Sequence, residues 1–277
     1  MADSVRDEFP PHGVDLLNPS PARVYDFLLG GDYCYETDRR FGEQALRVFP
    51  KLRAVARANR LFLHRVVRYL LRRGVRQFVD IGAGLPTMGH THQVADVFAP
   101  GESQVVYVDH EPVTVAHSRV LLDRDGDEKR HAAVHADLRD PDRLWQQVAA
   151  TGVVDLDRPV AVLLIAVLHL RQLDSRGVDV GPRAVARYRE LCRPGSYLAI
   201  SHLTDEGVPI RAKLAAFAEL AAVWRSKQEV EALFGDFELV EPGVTWTASW
   251  HPEETVRDAG FAVPGESAMW AGVGRKV

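Results

Sequence analysis

The sequence predicts an α/β protein built around a mostly parallel sheet. Five short runs rich in β-branched and apolar residues, at 75–81, 104–109, 132–137, 160–167 and 197–201, are separated by helical segments. The runs lack strict apolar-polar alternation, as expected when both faces of a sheet are covered. Strands alternating with helices at this spacing are the pattern of a parallel sheet with crossover helices. With 277 residues, 46% hydrophobic and 26% charged, the chain can bury the core of one large domain or two small ones.

Residues 1–20 carry prolines and no apolar period, and read as an irregular arm. Ser20 followed by Pro21 supplies an N-cap and a proline at the first helical position, so a helix is expected over 22–29, stopped by Gly30 and Gly31. Helices follow at 38–49 and 52–73. In the latter, Leu63, Val66, Val67, Leu70 and Leu71 recur at helical spacing, and Arg65, Arg68, Arg72 and Arg73 between them read as its solvated side. Beyond the fifth strand, 208–225 and 226–234 read as a helical pair, and 237–240, 245–250 and 268–273 as strands. The chain thus divides into an arm and helical cap, 1–73, and a sheet domain, 74–277, in which a helical insertion at 205–235 is placed to cover a substrate.

The longest apolar run, 160–168, is about half of the roughly 20 residues that a membrane-spanning helix needs. The polar start lacks a signal-peptide core, so a soluble cytoplasmic protein with no membrane partner is expected. A net charge of −4 offers no general basic field to nucleic acid, which is not expected as a partner. The two cysteines, Cys34 and Cys192, form no CxxC pair, consistent with free thiols and neither a disulfide framework nor a zinc cluster. His90, His92 and His110 lack a matching carboxylate cluster, so no metal site is expected.

Three motifs carry chemistry. FVDIGAGLPT at 78–87 places Asp80 at a strand end and Gly82 and Gly84 in the turn after it, removing Cβ atoms where a nucleoside must pass the backbone. Thr87 stands where a dinucleotide fingerprint would have its third glycine, which disfavours a nicotinamide-dependent oxidoreductase. VVYVDHEP at 105–112 ends the next strand with Asp109, a carboxylate able to accept both ribose hydroxyls. HADLRD at 135–140 ends another with Asp137, able to accept from an adenine amino group or, alternatively, to cap the helix near Pro141. Acids at consecutive strand ends converge on one crevice, because ligands of open parallel sheets bind outside the carboxyl ends of the strands.

With these motifs, the sequence resembles the class I S-adenosylmethionine-dependent methyltransferases, and more narrowly a bacterial S-adenosyl methyltransferase family. The resemblance covers nearly the whole chain: PSPARVYDFLLGG at 19–31, RANRLFLHRVVRYL at 57–70, QFVDIGAGLPT at 77–87, VVYVDHEPVTVAHSRVLL at 105–122, ADLRDP at 136–141, RPVAVLLIAVLHL at 158–170 and PGSYLAISH at 194–202. It implies a Rossmann-like, doubly wound, mostly parallel seven-stranded sheet with an N-terminal helical cap. The implied cofactor is S-adenosylmethionine, released as S-adenosylhomocysteine. By position, Asp80, Gly82, Ala83 and Gly84 would form the methionine-side loop. Asp109 and His110 would hold the ribose, Ala136, Asp137 and Leu138 would meet the adenine, and Ile165, Ala166 and Val167 would line the crevice. The sequence departs from the family pattern at Asp32-Tyr33-Cys34-Tyr35 and at Met88-Gly89-His90-Thr91-His92-Gln93.

Methyl transfer from a sulfonium is an in-line displacement whose leaving sulfur needs no proton, so alignment supplies much of the acceleration. A base matters for a hydroxyl or protonated-amine acceptor, and His202 and His169, expected at strand ends facing the crevice, are the candidates, with structural hydrogen bonding as their other reading. Asp80 either touches ligand or fixes the glycine-loop N-H groups. Tyr25, Gly30 and Gly31 either cap the methionine half or serve helix packing and a C-cap. Asn59 or Arg60 either reaches the cofactor carboxylate or is structural. Trp224, Trp246, Trp250 and Trp270 line an aromatic pocket or pack in the core. Residues 165–169 carry no Asp/Asn-Pro-Pro-aromatic motif and the chain has no Pro-Cys nucleophile, which disfavours nucleic acid as the acceptor; a small molecule is expected, with a protein acceptor left open. The alternative function is a non-catalytic S-adenosylmethionine-binding module or sensor.

Overall fold

The computed structural model describes residues 15–85, 89–209, 212, 222–251 and 260–277. It opens with three helices, α1 (Pro21–Leu29), α2 (Glu36–Val48) and α3 (Leu52–Arg72). The Ser20 side chain accepts from the Arg23 N-H, Pro21 occupies the first turn, and Gly30 ends α1 at φ +86°. Alternation then begins: β1 (Gln77–Ile81), α4 (Thr91–Phe98), β2 (Gln104–Asp109), α5 (Pro112–Asp125), β3 (His131–His135), α6 (Pro141–Ala150), β4 (Ala161–Ile165), α7 (Gly181–Leu191) and β5 (Tyr197–Leu203). Helix α8 (Lys227–Phe234), strands β6 (Glu238–Leu239) and β7 (Thr245–Trp246), a 3-10 turn (Pro264–Ser267) and β8 (Met269–Arg275) complete the described elements.

The sheet order is β3-β2-β1-β4-β5-β8-β6, with β7 also paired to β8. Strands β1 to β5 are parallel, and β8 runs antiparallel to β5. Strands β6 and β7 share the outer edge of β8, at Gly274–Arg275 and Trp270–Ala271 respectively, so eight strands make seven lanes. The order reverses between β1 and β4, and the crevice of such a sheet opens at that switch point, beyond the strands' carboxyl ends.

Period-two side-chain geometry sends Val79 and Ile81 to one face and Phe78 to the other. The first face packs on Leu144 and Val148 of α6, Val185 and Tyr188 of α7, and Val230 and Phe234 of α8. The second packs on Phe62, Val66 and Leu70 of α3 and Val94 and Ala95 of α4. Both faces are therefore apolar, which is why the strands read as continuous hydrophobic runs. Val24 and Leu28 of α1 and Phe41 of α2 close on Ala56 of α3 as a smaller core of the cap.

Several expected boundaries move. Helix α2 starts at Glu36, β3 ends at His135 instead of 137, and β4 stops at Ile165 because Ala166 adopts φ +56°. Only 245–246 of the expected strand 245–250 pairs; the chain then turns, and the fully buried Trp250 packs edge-on against Phe62 and Tyr69. Most of the helix expected over 208–225 lies outside the described residues. Its last part is not helical: Ala222 bridges Leu170, and the Val223 N-H donates to the His169 carbonyl at 2.7 Å. Arg65 is not solvated. It is 2% exposed and donates to the carbonyls of Trp250 and Thr247, satisfying the turn that ends β7. Cys34 and Cys192 are buried free thiols. Among the described residues no helix is long and apolar enough to cross a membrane.

On the second face, His92 stacks on His90 and lies tilted against His131, at centroid distances of 5.1 and 4.5 Å, with its Nδ1 2.8 Å from the Tyr107 hydroxyl. Burial, reinforced by His131, pushes the His92 pKa down to about 4. An unfolded histidine titrates near 6.5, so between those values the unfolded chain holds a proton that the folded chain does not. The stability contributed by neutral His92 is complete above about pH 6.5 and is lost as pH falls toward about 4. Urea unfolding of His92→Asn at a series of pH values should show a pH slope shallower than the parent's by up to one proton across that window. Parallel slopes would contradict the assignment.

Candidate active site

Two glycines shape the turn after β1. Gly82 and Gly84 have φ of +70° and +65°, a region costly for side chains other than glycine. The Gly82 and Ala83 N-H groups donate to the Val108 carbonyl at 2.8 and 3.1 Å, folding the loop over the end of β2. There the Asp109 carboxylate accepts from the Gly84 N-H at 3.0 Å and the Glu111 N-H at 2.9 Å. Among the described residues it is thus Asp109, not Asp80, that holds an N-H group of the glycine loop. Asp80 accepts from the Thr91 hydroxyl at 2.8 Å, and burial pushes its carboxyl up to about 6 against the lowering effects of that bond and of Arg60.

A Cβ added at Gly82 would stand 2.4 Å from Cγ2 of Val167. Gly82→Ala should therefore cost about 1–3 kcal/mol in unfolding free energy through overpacking and backbone strain. Val167→Ala in the same chain should recover part of the loss; denaturant melts of the single and double variants check both.

Two cavities lie outside the carboxyl ends of the strands. One, of about 530 Å³, is lined by Asp109, His110, Ala136, Asp137, Leu138 and Val167. The other, of about 210 Å³, is lined by Tyr25, Arg60, Asp80, Ala83, Gly84, Ile165, Ala166 and His169. Gly82, Asp109, His110 and Val167 border both, so the cavities meet over the glycine loop. His110 Nδ1 is 3.6 Å from Asp109, whose carboxylate raises the histidine's pKa. Asp137 is not the helix cap; Asp140 holds that position and accepts from the Arg143 N-H. Asp137 instead pairs with Arg139 at 2.6 Å, and Arg139 also donates to the Leu173 carbonyl.

Other expected residues are placed differently. His202 is fully buried and lines neither cavity. Its Nε2 contacts the Arg225 guanidinium, which also donates to the Leu168 carbonyl and pairs with Asp179 at 2.9 Å. Burial and the Arg225 charge push the His202 pKa down to about 4. Gly31 also lines neither cavity: a Cβ there would stand 2.1 Å from an Asp26 carboxylate oxygen, so this glycine serves packing. The four tryptophans pack elsewhere, with Trp246 stacked on Trp270 at 3.6 Å and Trp224 among Phe49, Val55 and Met269. His169 does reach the smaller cavity; its Nδ1 is enclosed without a hydrogen-bond partner, and burial, with His202 and Arg225, pushes its pKa down to about 3.

Two networks that bind the cap to the sheet carry no local sequence signal, because their members are far apart in the chain. Buried Arg23 pairs with Asp38 at 2.7 Å and Glu111 at 3.0 Å, while the Ser20 hydroxyl donates to Glu111 at 2.7 Å. This bolts α1 to the start of α5, two residues beyond Asp109. In the second, the Ala166 N-H donates to the Ser201 hydroxyl, which donates to Asn59 Oδ1. Asn59 Nδ2 donates to the Tyr25 hydroxyl, which donates to the Ala56 carbonyl. The left-handed turn at Ala166 is thereby held to the helix carrying Arg60, and Asn59 is structural.

This geometry, a glycine turn beneath an acid-tipped second strand at the switch point, accords with the comparisons to known proteins. Residues 7–277 match the family described as S-adenosyl methyltransferase. The chain belongs to that family. It is similar to a candidate methyltransferase from Thermobifida fusca YX, at 43% identity and a TM-score of 0.84 over 97% of this chain and 98% of that one. A DUF574 family protein from Streptomyces avermitilis MA-4680 is 36% identical, with a TM-score of 0.83 over 94% and 98% of the chains. Magnesium protoporphyrin IX methyltransferase from Synechocystis PCC 6803, solved with S-adenosylhomocysteine, shares the fold at 11% identity and a TM-score of 0.53 over 92% and 93%. No curated protein matches in sequence. The protein is an S-adenosylmethionine-dependent methyltransferase with the mostly parallel sheet of that class.

Proposed function

We propose that this methyltransferase acts on a small-molecule acceptor held under its helical cap, with S-adenosylmethionine lying across the two cavities. When bound, the cofactor supplies an electrophilic methyl carbon on a sulfonium. Asp109, already oriented by two backbone N-H groups, has lone pairs left for a ribose diol. Ala136, Asp137, Leu138 and Val167 form the adenine side. Gly84, with nothing within 4 Å of where its Cβ would stand, leaves room over the loop for the methionine end. Arg60 fits that end: it is 7% exposed, its Nε is enclosed with no hydrogen-bond partner among the described residues, and it lines the cavity beside Asp80. A buried guanidinium of this kind calls for an anion, and an amino-acid carboxylate supplies one bidentately.

The observation that carries the small-molecule reading is the continuity of the crevice with a largely apolar cavity between α1, α2, α3 and the ends of β4, β5 and β8. A chain of net charge −4 adds no field to draw a phosphate backbone. Calorimetric titration with S-adenosylhomocysteine and adenosine tests the cofactor pose. Arg60→Gln should weaken S-adenosylhomocysteine roughly 10- to 100-fold, as expected for losing a charge-assisted pair of hydrogen bonds, and leave adenosine within about threefold. Equal losses for both ligands would remove Arg60 from the carboxylate.

A further inference from the structure

We propose that the acceptor is a small, uncharged, largely apolar molecule methylated on a hydroxyl group, and that His169 takes the hydroxyl proton. This inference rests on the cofactor placement above and concerns the part of the smaller cavity which that placement leaves over. The polar groups Arg60, Asp80 and Asp109 gather beside the glycine loop. The rest is walled by Val24, Leu28 and Phe41 from the first two helices, Leu52 and Val55 from α3, and Met269 from β8. Among the described residues, His110 and Glu111 also line the cavity, Glu111 already paired with Arg23, and no other carboxylate stands in that part to neutralise an ammonium and no further cation to hold an acid; an unpaired charge is costly to bury in apolar surroundings. An apolar cavity of about 150 Å³ accommodates one benzene ring. A cavity of about 210 Å³ shared with the cofactor's methionine end therefore sets one small ring or a short alkyl chain as the upper limit on the acceptor.

The hydrogen-bonding groups of this part narrow the acceptor further. The Tyr25 hydroxyl is engaged by Asn59 and the Ala56 carbonyl, and Asn59 Oδ1 by Ser201. Among the described residues the His169 imidazole is left on the cavity wall, its ring edge-on to His202 at 6.2 Å; Nδ1 is enclosed, which leaves Nε2 as the nitrogen to meet an acceptor. Burial keeps it neutral, with a pKa pushed down to about 3. In the transfer, the acceptor oxygen forms a bond to the methyl carbon as the carbon-sulfur bond breaks, and that electron pair goes to sulfur. The hydroxyl proton passes to His169 and from there to solvent. An alcohol oxygen becomes strongly acidic only as its new bond forms, so even a weakly basic imidazole can accept the proton at that stage.

The test uses the full chain saturated with S-adenosylhomocysteine, titrated with 4-ethylphenol, 4-hydroxyphenylacetate and tyramine, three phenols of similar size that differ in charge. The neutral phenol should bind at least tenfold tighter than either charged one, and turnover with S-adenosylmethionine should place the methyl on oxygen by mass spectrometry. His169→Gln should lower kcat at least 30-fold with KM within threefold. Val55→Phe, which fills the apolar part, should lose 4-ethylphenol while keeping S-adenosylhomocysteine; should that variant not fold, the charge series decides without it. Normal S-adenosylhomocysteine binding with no preference for the neutral phenol, or with the tyramine nitrogen methylated, overturns this inference alone. No binding of S-adenosylhomocysteine overturns the cofactor placement, and this inference with it.

Discussion

Asp109→Ala is expected to abolish cofactor binding, weakening S-adenosylhomocysteine at least 100-fold, while the protein stays folded. The carboxylate sits at the C-terminal end of β2 and holds the Gly84 and Glu111 N-H groups at 3.0 and 2.9 Å. Removing it deprives the ligand of its diol partner and also releases the glycine loop over which both cavities meet. Hydrogen bonds to a charged group are worth about 1.5–3 kcal/mol each, and two to the ribose suffice for the loss. Asp109→Asn keeps the shape and one accepting oxygen, and should lose only about tenfold. Titration calorimetry measures both, with circular dichroism as the folding control. Binding within threefold of the parent for Asp109→Ala would show that the nucleoside does not use this crevice.

The largest stability effect is expected at the cap. The side chains of Arg23 and Asp38 are 3% and 0% exposed and paired at 2.7 Å, and Asp38 also accepts from the Ser20 and Tyr35 N-H groups. Arg23→Ala leaves this carboxylate buried without its counter-charge, a change that costs about 3–5 kcal/mol. Asp38→Ala should cost less, because the guanidinium keeps Glu111 at 3.0 Å. Because each single change already breaks the pair, the double variant should cost less than the sum of the two. Denaturant melts of the four chains complete the cycle; additive losses would show that the pair is not coupled. Arg23 also holds Glu111 two residues beyond Asp109, so Arg23→Ala should raise the KM for S-adenosylmethionine as well.

The alternation of strands and helices was legible because it rests on local properties: residue volume, β-branching, and side-chain periods of 2.0 and 3.6. The glycine turn was legible because only glycine tolerates the backbone at 82 and 84. Asp109 was legible because an acid ending an apolar run has few other reasons to be there. His202 misled for a related reason. Its position near a strand end is local, but which neighbours enclose it is not, and Arg225, 23 residues further on, occupies its Nε2. Arg65 read as solvated since arginines surround it, whereas the turn after β7, some 185 residues away, supplies the carbonyls that bury it.

The doubly wound order thus came with the family resemblance, while composition, period and turn chemistry were enough to specify a parallel α/β sheet and the three acids toward the carboxyl ends of its strands. Each is dictated by residues that are neighbours in the chain, where backbone sterics and side-chain period act directly. Tertiary structure alone decided that among the described residues Asp109 and not Asp80 secures the glycine loop, that Arg60 and His169 reach the same cavity, and that Arg23 bolts the cap to the start of α5. Those outcomes depend on hydrogen bonds and charges meeting across dozens of residues, and such encounters exist only once strand order has brought the ends of β1, β2, β4 and β5 to one crevice.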